Sequence, residues 1–156
     1  RDLDHERLAT ERLQVICASD HRLAGKRVAR LADLGGERWI AFPEIPGRRE
    51  ISASHVFALF LTHGLGEIAW TAVDSLTAQK RLVEAGLGIA LLTQSNAADE
   101  LRFGSIATIR VGNLRASQEI VAVTRRGGFL SAASRRLLEI IRQDERRLRW
   151  NESGRP

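Results

Sequence analysis

Hydroxyl and guanidinium groups near predicted helix starts are the side chains in this sequence best suited to hold a ligand. Ser75 follows a β-branched, aromatic stretch at residues 67–73 and precedes an amphipathic stretch that begins at Leu76. Ser54 stands in the same relation to a stretch ending near His63, and Arg48 and Arg49 lie in the Pro/Gly-punctuated loop before it. A helix N-terminus exposes unpaired N–H groups and a positive dipole end, which suit a carboxylate or another small anion. A nearby arginine adds a charge-assisted contact, bidentate where geometry allows. The chemistry these residues point to is therefore anion recognition. A blander account also fits. Ser54 and Ser75 serve equally as N-caps, a role worth about 1 kcal/mol with no ligand, and Arg48 and Arg49 as solvated loop charges.

Covalent chemistry finds less support. His5, His21, His55 and His63 are scattered, with no HExxH and no cysteine set, so no metal site is expected. There is no G-x-S-x-G elbow, and Tyr is absent. Cys17 lies inside an apolar run, where a thiol is usually buried and inert. Asp74 and Ser75 put a carboxylate beside a hydroxyl without an identifiable base. Gly86-x-Gly88 precedes a strand and lacks a third glycine, so it is not a nucleotide fingerprint; a helix C-cap and a tight entry to Ile89 explain it. Neither an enzyme nor a cofactor is expected.

The elements that must position these groups follow from patterning. Residues 67–95 read as strand, helix, strand: Asp74-Ser75 caps, Leu76, Leu82 and Val83 share one face, Gly86 closes the helix, and residues 89–92 form a buried run. Further strands are expected at 13–18, 38–42, 106–111 and 119–124. Helices are expected at 28–34, from Ser52 or Ser54 to about 63, as a turn or two at 94–100, and from a cap at Ser131 onward. The β-α-β-α-β run over 38–92 predicts an α/β lobe with a mostly parallel sheet. Residues 13–18 and 119–124 are expected to pair in a separate lobe, with crossings near 33–38 and 112–117. Ligands of open α/β sheets lie beyond the carboxyl ends of the strands, which here gathers the loops 42–54, 73–77 and 93–96.

With 156 residues, 44% of them apolar, the chain can bury a core of one domain or two small lobes. No apolar run reaches a membrane span, the N-terminus is charged, and the single cysteine fits a reducing cytoplasm. Its net charge of +5 comes from 24 basic against 19 acidic residues. The densest basic part, Arg142 to Arg155, is interleaved with Asp144, Glu145 and Glu152 and reads as a solvated helix end. Direct nucleic-acid binding by this chain is not expected.

Ala85-Gly86-Leu87-Gly88-Ile89-Ala90-Leu91-Leu92 is similar to the AGLGIALLP stretch of LysR-type transcriptional regulators. Asp20-His21-Arg22-Leu23-Ala24 resembles that family's HPLA, Leu31-Ala32-Asp33-Leu34 its LADL, and Thr124-Arg125-Arg126-Gly127 its closing strand. The order and spacing of these pieces carry the resemblance from about residue 13 to 142. It implies a two-lobed α/β, periplasmic-binding-protein-like (type 2) effector-binding domain. The second lobe, residues 38–112, would be complete with a mixed, mostly parallel sheet. The first would be partial, residues 1–37 and 113–150, with a tail at 151–156. An effector site between lobes would place Thr93 and Ser95 at its crossover edge, with Thr93 standing where the family has proline. The resemblance further implies a small-molecule effector, taken here as a carboxylate or other anion, and a homodimer or tetramer. DNA contact would come only through an N-terminal helix-turn-helix absent from this sequence, so a fragment is expected. Two other readings stay open: a solute-binding or enzymatic α/β domain with no DNA partner, and an association module whose exposed sheet edges another chain covers.

Overall fold

The structure is a computed structural model that describes residues 2–28, 30–43, 58, 62 and 68–153, with side chains described to residue 144. In chain order its strands and helices are β1 (Leu3–Ala18), β2 (Arg27–Val28), β3 (Trp39–Ala41), β4 (Trp70–Ala72), α1 (Leu76–Glu84), β5 (Ala90–Thr93), α2 (Ala98–Phe103), β6 (Ile106–Val111), β7 (Ser117–Arg125) and α3 (Ala132–Ser153). Short 3-10 turns cover Leu31–Leu34 and Ser95–Ala97. The chain divides into two compact units, Arg12–Ser117 and a second made of Arg1–Glu11 with Gln118–Pro156.

In the Arg12–Ser117 unit the strands run in the order β2-β6-β1-β5. β1 is antiparallel to β5, from Leu13↔Thr93 to Ile16↔Ala90, and antiparallel to β6, from Val15↔Ile109 to Ala18↔Ile106. β3 and β4 pair in parallel, and a parallel bridge between Trp39 and Ile89 joins them to the entry of β5. The sheet is thus mixed, with parallel strands on the β4-β3-β5 side.

Period-two patterning explains why β1 lies inside. Leu13, Val15 and Cys17 pack on one face with Leu31, Leu34, Trp39, Ile68, Ile89, Leu91 and Ile109. Ile16 packs on the other face with Ile40, Val83, Ala90, Leu92, Ala97 and Ile106. Consecutive apolar residues need cover on both faces, and only a central strand supplies it. The α1 residues Leu76, Leu82 and Val83 cover the second face, as the spacing predicts.

Several expectations are corrected. Residues 13–18 do not pair with 119–124 in a separate lobe; they sit between β5 and β6. The expected helix at 28–34 is β2 followed by a 3-10 turn, in which Asp33 Oδ2 accepts from Arg30 N at 2.9 Å. Of the helix expected from Ser52 or Ser54 to 63, only Ala58 and Thr62 are described, and both are helical.

In the second unit the start of β1 pairs with β7. Arg126 N donates to Asp2 O at 2.8 Å and its Nε to Asp4 Oδ1 at 3.0 Å, while Arg142 Nε donates to Glu6 Oε1 at 2.7 Å. β7 is not a buried strand: Ile120, Val121 and Val123 are each more than two-fifths exposed. Ser131 caps α3 as expected, its Oγ accepting from Ser134 N at 3.0 Å.

Candidate functional site

The parallel strands β3, β4 and β5 end on one edge of the Arg12–Ser117 unit. That edge carries Ala41-Phe42, Ala72-Val73 and Thr93. Val73 N donates to Ala41 O at 3.0 Å and so extends the β3–β4 pair toward Asp74 and Ser75. Ser75 has extended dihedrals and N-caps α1, its Oγ accepting from Ala78 N at 3.4 Å. Thr93 lies on the other flank of β3, so the strands bearing the two hydroxyls are two spacings, about 10 Å, apart.

Thr93 is buried, and its Oγ1 accepts from Asn96 N at 3.4 Å and lies 3.3 Å from Ser95 Oγ. This hydroxyl ties the end of β5 to the 3-10 turn through which the chain leaves it, a bond a proline there would not provide. Ser95 opens that turn and is exposed. The structure therefore brings Ser75, Thr93 and Ser95 to one edge. Ser54, Arg48 and Arg49 lie outside the described residues.

Gln79 ties the edge together from below. It is 2% exposed, and its Nε2 donates to Ile40 O at 2.7 Å, fastening α1 to β3, while Oε1 has no partner among the described residues. Nothing in the sequence distinguishes it from a solvent-facing helix glutamine. The far side of α1 is held by charge. Lys80 Nζ lies 2.6 Å from Glu100 Oε1 on α2, and Glu84 accepts from Ser105 Oγ and from Arg81 Nη1, each at 2.6 Å. The Ser105 hydroxyl and then the Arg81 guanidinium hold the Glu84 carboxyl below its ordinary value; Lys80 does the same for Glu100.

Because β1 is antiparallel to β5, the Leu13 end of the stretch paired with β5 lies on this same edge. Leu13 pairs with Thr93 on one side, and on the other its N donates to Ala116 O at 3.0 Å. There a cavity of about 320 Å³ is lined by Arg12, Leu13, Leu114, Arg115, Ala116 and Ser117. The two arginines went unnoticed in the sequence, because each stands alone in a polar stretch and only the sheet register joins them.

Gly86 has φ +73 just after α1, and a Cβ at Gly88 would lie 2.6 Å from Arg38 O, so the pair serves as a helix exit and a close strand approach. Cys17 is fully buried, and burial, followed by the charges of Glu37 and Asp20, pushes its thiol up to about 11. Among the described residues no group of three or more His, Cys, Asp or Glu could hold a metal ion. No helix among them is long and apolar enough to cross a membrane.

The fold that carries this edge occurs in a known family. The model of the LysR substrate binding domain matches residues 1–146, and the chain belongs to that family. The transcriptional regulator CatR of Pseudomonas putida is 30% identical over 136 residues, covering 87% of this chain and 45% of CatR. The phosphonates import ATP-binding protein PhnC of Anaeromyxobacter dehalogenans is 37% identical over 70 residues, which span 45% of this chain but only 14% of PhnC. The chain thus spans less than half the length of these curated relatives.

Among solved structures, the regulatory domain of Synechocystis CcmR in complex with 2-PG superposes with a TM-score of 0.77 at 23% identity, over 92% of this chain and 67% of that one. The effector binding domain of BenM with its effector benzoate superposes with a TM-score of 0.72 at 25% identity, over 99% of this chain and 67% of that one. The fold is that of LysR effector-binding domains, α/β and periplasmic-binding-protein-like.

Proposed function

We propose that this chain is the effector-sensing part of a LysR-type transcriptional regulator. It binds a small anion and so controls DNA binding by an N-terminal domain outside this sequence. The observation that carries the proposal is the gathering of Ser75, Thr93 and Ser95 on the carboxyl edge of the sheet, where open α/β sheets take their ligands, in a chain of the LysR substrate binding domain family. Arg48, Arg49 and Ser54 belong to the same proposal as further contacts for the anion. Benzoate is a carboxylate, and BenM's binding of it supports an anionic class for this chain as well. On this reading the Arg12–Ser117 unit corresponds to the second regulatory subdomain, and the other unit to the later part of the first. The domain works in the cytoplasm as a homodimer or tetramer, and its ligand shifts an equilibrium rather than undergoing reaction. It does so only as far as it binds the two states differently.

Thermal unfolding of the chain against a panel of small carboxylates and phosphate esters tests the reading. A ligand at a hundred times its Kd stabilises by about 2.7 kcal/mol. At about 2–4 °C per kcal/mol for a protein of this size, the midpoint should rise by roughly 5–10 °C. If no member of the panel moves it beyond a chloride control of equal ionic strength, the proposal fails.

A further inference from the structure

We infer that Arg12 and Arg115 form an anion subsite on the carboxyl edge of the Arg12–Ser117 unit. They take the charged group of a small organic anion whose apolar body rests on Leu13, Leu114 and Ala116. The inference rests on the reading that this edge holds an effector, and it adds the groups that neutralise the effector's charge.

Three observations carry it. The first is pairing. Within this unit Arg22, Arg30, Arg81 and Arg102 each have a carboxylate partner, in Glu37, Asp33, Glu84 and Asp99. Among the described residues the side chains of Arg12 and Arg115, like those of Arg27 and Arg38, have no hydrogen-bond or ion-pair partner, and Arg12 and Arg115 differ from the other two in lining one cavity. Like charges sharing a cavity repel, and an anion between them turns that repulsion into attraction. The planar guanidinium fork suits a carboxylate.

The second observation is the cavity itself. Its volume of about 320 Å³ falls at the small end of ligand pockets, about 300–1,000 Å³. Its lining combines two cations and the Ser117 hydroxyl with three apolar side chains, so an anion with an apolar body fits better than a bare ion. The third is place. Leu13 lines the cavity and is the register partner of Thr93, so the cavity lies on the same edge as the end of β5, with β1 between it and Thr93. Leu13 N is already bonded to Ala116 O, which holds the two cationic segments together without a ligand. The subsite is thus preorganised and costs little to order on binding.

The test is a titration of the ¹⁵N-labelled chain with sodium benzoate, at ionic strength held constant with chloride. Inorganic phosphate serves as a probe with no apolar body. Wild type is compared with Arg12→Gln, Arg115→Gln and Ser75→Ala, each checked for an unchanged unfolding midpoint or corrected for its loss. Benzoate should shift the amide signals of Leu13, Ala116 and Ser117 more than phosphate does. Each arginine substitution should weaken benzoate about tenfold, the loss expected for one charge-assisted hydrogen bond. Shifts confined to residues 75–77 and 93–96, with both arginine variants binding as wild type, would remove the subsite and leave the effector reading standing. Wild-type shifts no larger than chloride produces would also overturn the subsite, while the wider ligand panel still judges the effector reading on its own.

Discussion

Replacing Gly88 by alanine tests how the carboxyl edge is held in register. An added Cβ would sit 2.6 Å from Arg38 O and 3.1 Å from Ile40 Cγ1, so the backbone must open by at least 0.4 Å to reach even the tightest spacing real Cβ atoms show. The obstructing carbonyl cannot move freely. It accepts from Ile89 N at 2.8 Å, and Ile40 N donates to Ile89 O at 2.8 Å in the next rung. Overpacking of a close contact costs about 1–3 kcal/mol, and weakening a ladder bond adds about 1 kcal/mol. The sum, about 2–4 kcal/mol, should lower the unfolding midpoint by roughly 5–15 °C. Gly86→Ala is the control. It has φ +73 and nothing within 4 Å of the new Cβ, so it carries only the left-handed backbone cost, about 1–2 kcal/mol. Urea unfolding followed by tryptophan fluorescence suits the measurement, because Trp39 is buried in the affected strand. The expected order is a large loss for Gly88→Ala, a smaller one for Gly86→Ala, and an unchanged slope for both. If Gly88→Ala unfolds within about 0.5 kcal/mol of wild type, the typical error of surface substitutions, the close approach does not hold β3 against β5.

Thr93→Val keeps the shape but removes the acceptor for Asn96 N; it should cost about 1 kcal/mol in urea unfolding and weaken any anion that shifts the wild-type midpoint. Ser75→Ala should cost about 1 kcal/mol through the lost cap alone, and a ligand effect beyond that would be read in the carboxylate titration. The Glu84 and Glu100 carboxyls are held below their ordinary 4.5 in the folded chain. The unfolded chain therefore takes up protons first, so their stabilisation is intact above pH 4.5, falls away as pH drops through the lower folded values, and should flatten in Glu84→Gln and Glu100→Gln. Cys17, buried and raised to about 11, should resist iodoacetamide at neutral pH until urea opens the Arg12–Ser117 unit, as read by mass spectrometry.

Local signals made some elements legible. The serine cap at Ser75, the apolar spacing through Val83 and the glycine exit at Gly86 are contiguous, and α1 falls between them. β6 matches its expected range because Ile106 and Ile109 stand inside a short run bounded by Gly104 and Gly112. The first residues of β1 were not legible as strand. Of Leu3 to Arg12 only Leu8 is buried, so no alternation marks the segment, and its order comes from pairing with β7. Residues 28–34 mimic a helix because Leu31 and Leu34 are three apart, a spacing that a single 3-10 turn satisfies as well.

The neighbours of residues 13–18 and the meeting of Arg12 with Arg115 have one physical cause. Residues 13–18 read as a strand in either lobe, and period-two patterning cannot say which neighbours it takes. The deciding fact is that Val15 and Ile16 are adjacent, point to opposite faces and are both fully buried. That double burial forces β1 between β5 and β6. The same insertion sets Leu13 beside Thr93 and against Ala116, which delivers Arg12 and Arg115 to a single cavity on the carboxyl edge. The positive charge expected of Arg48 and Arg49 is thus matched by Arg12 on β1 and by Arg115 in the segment between β6 and β7.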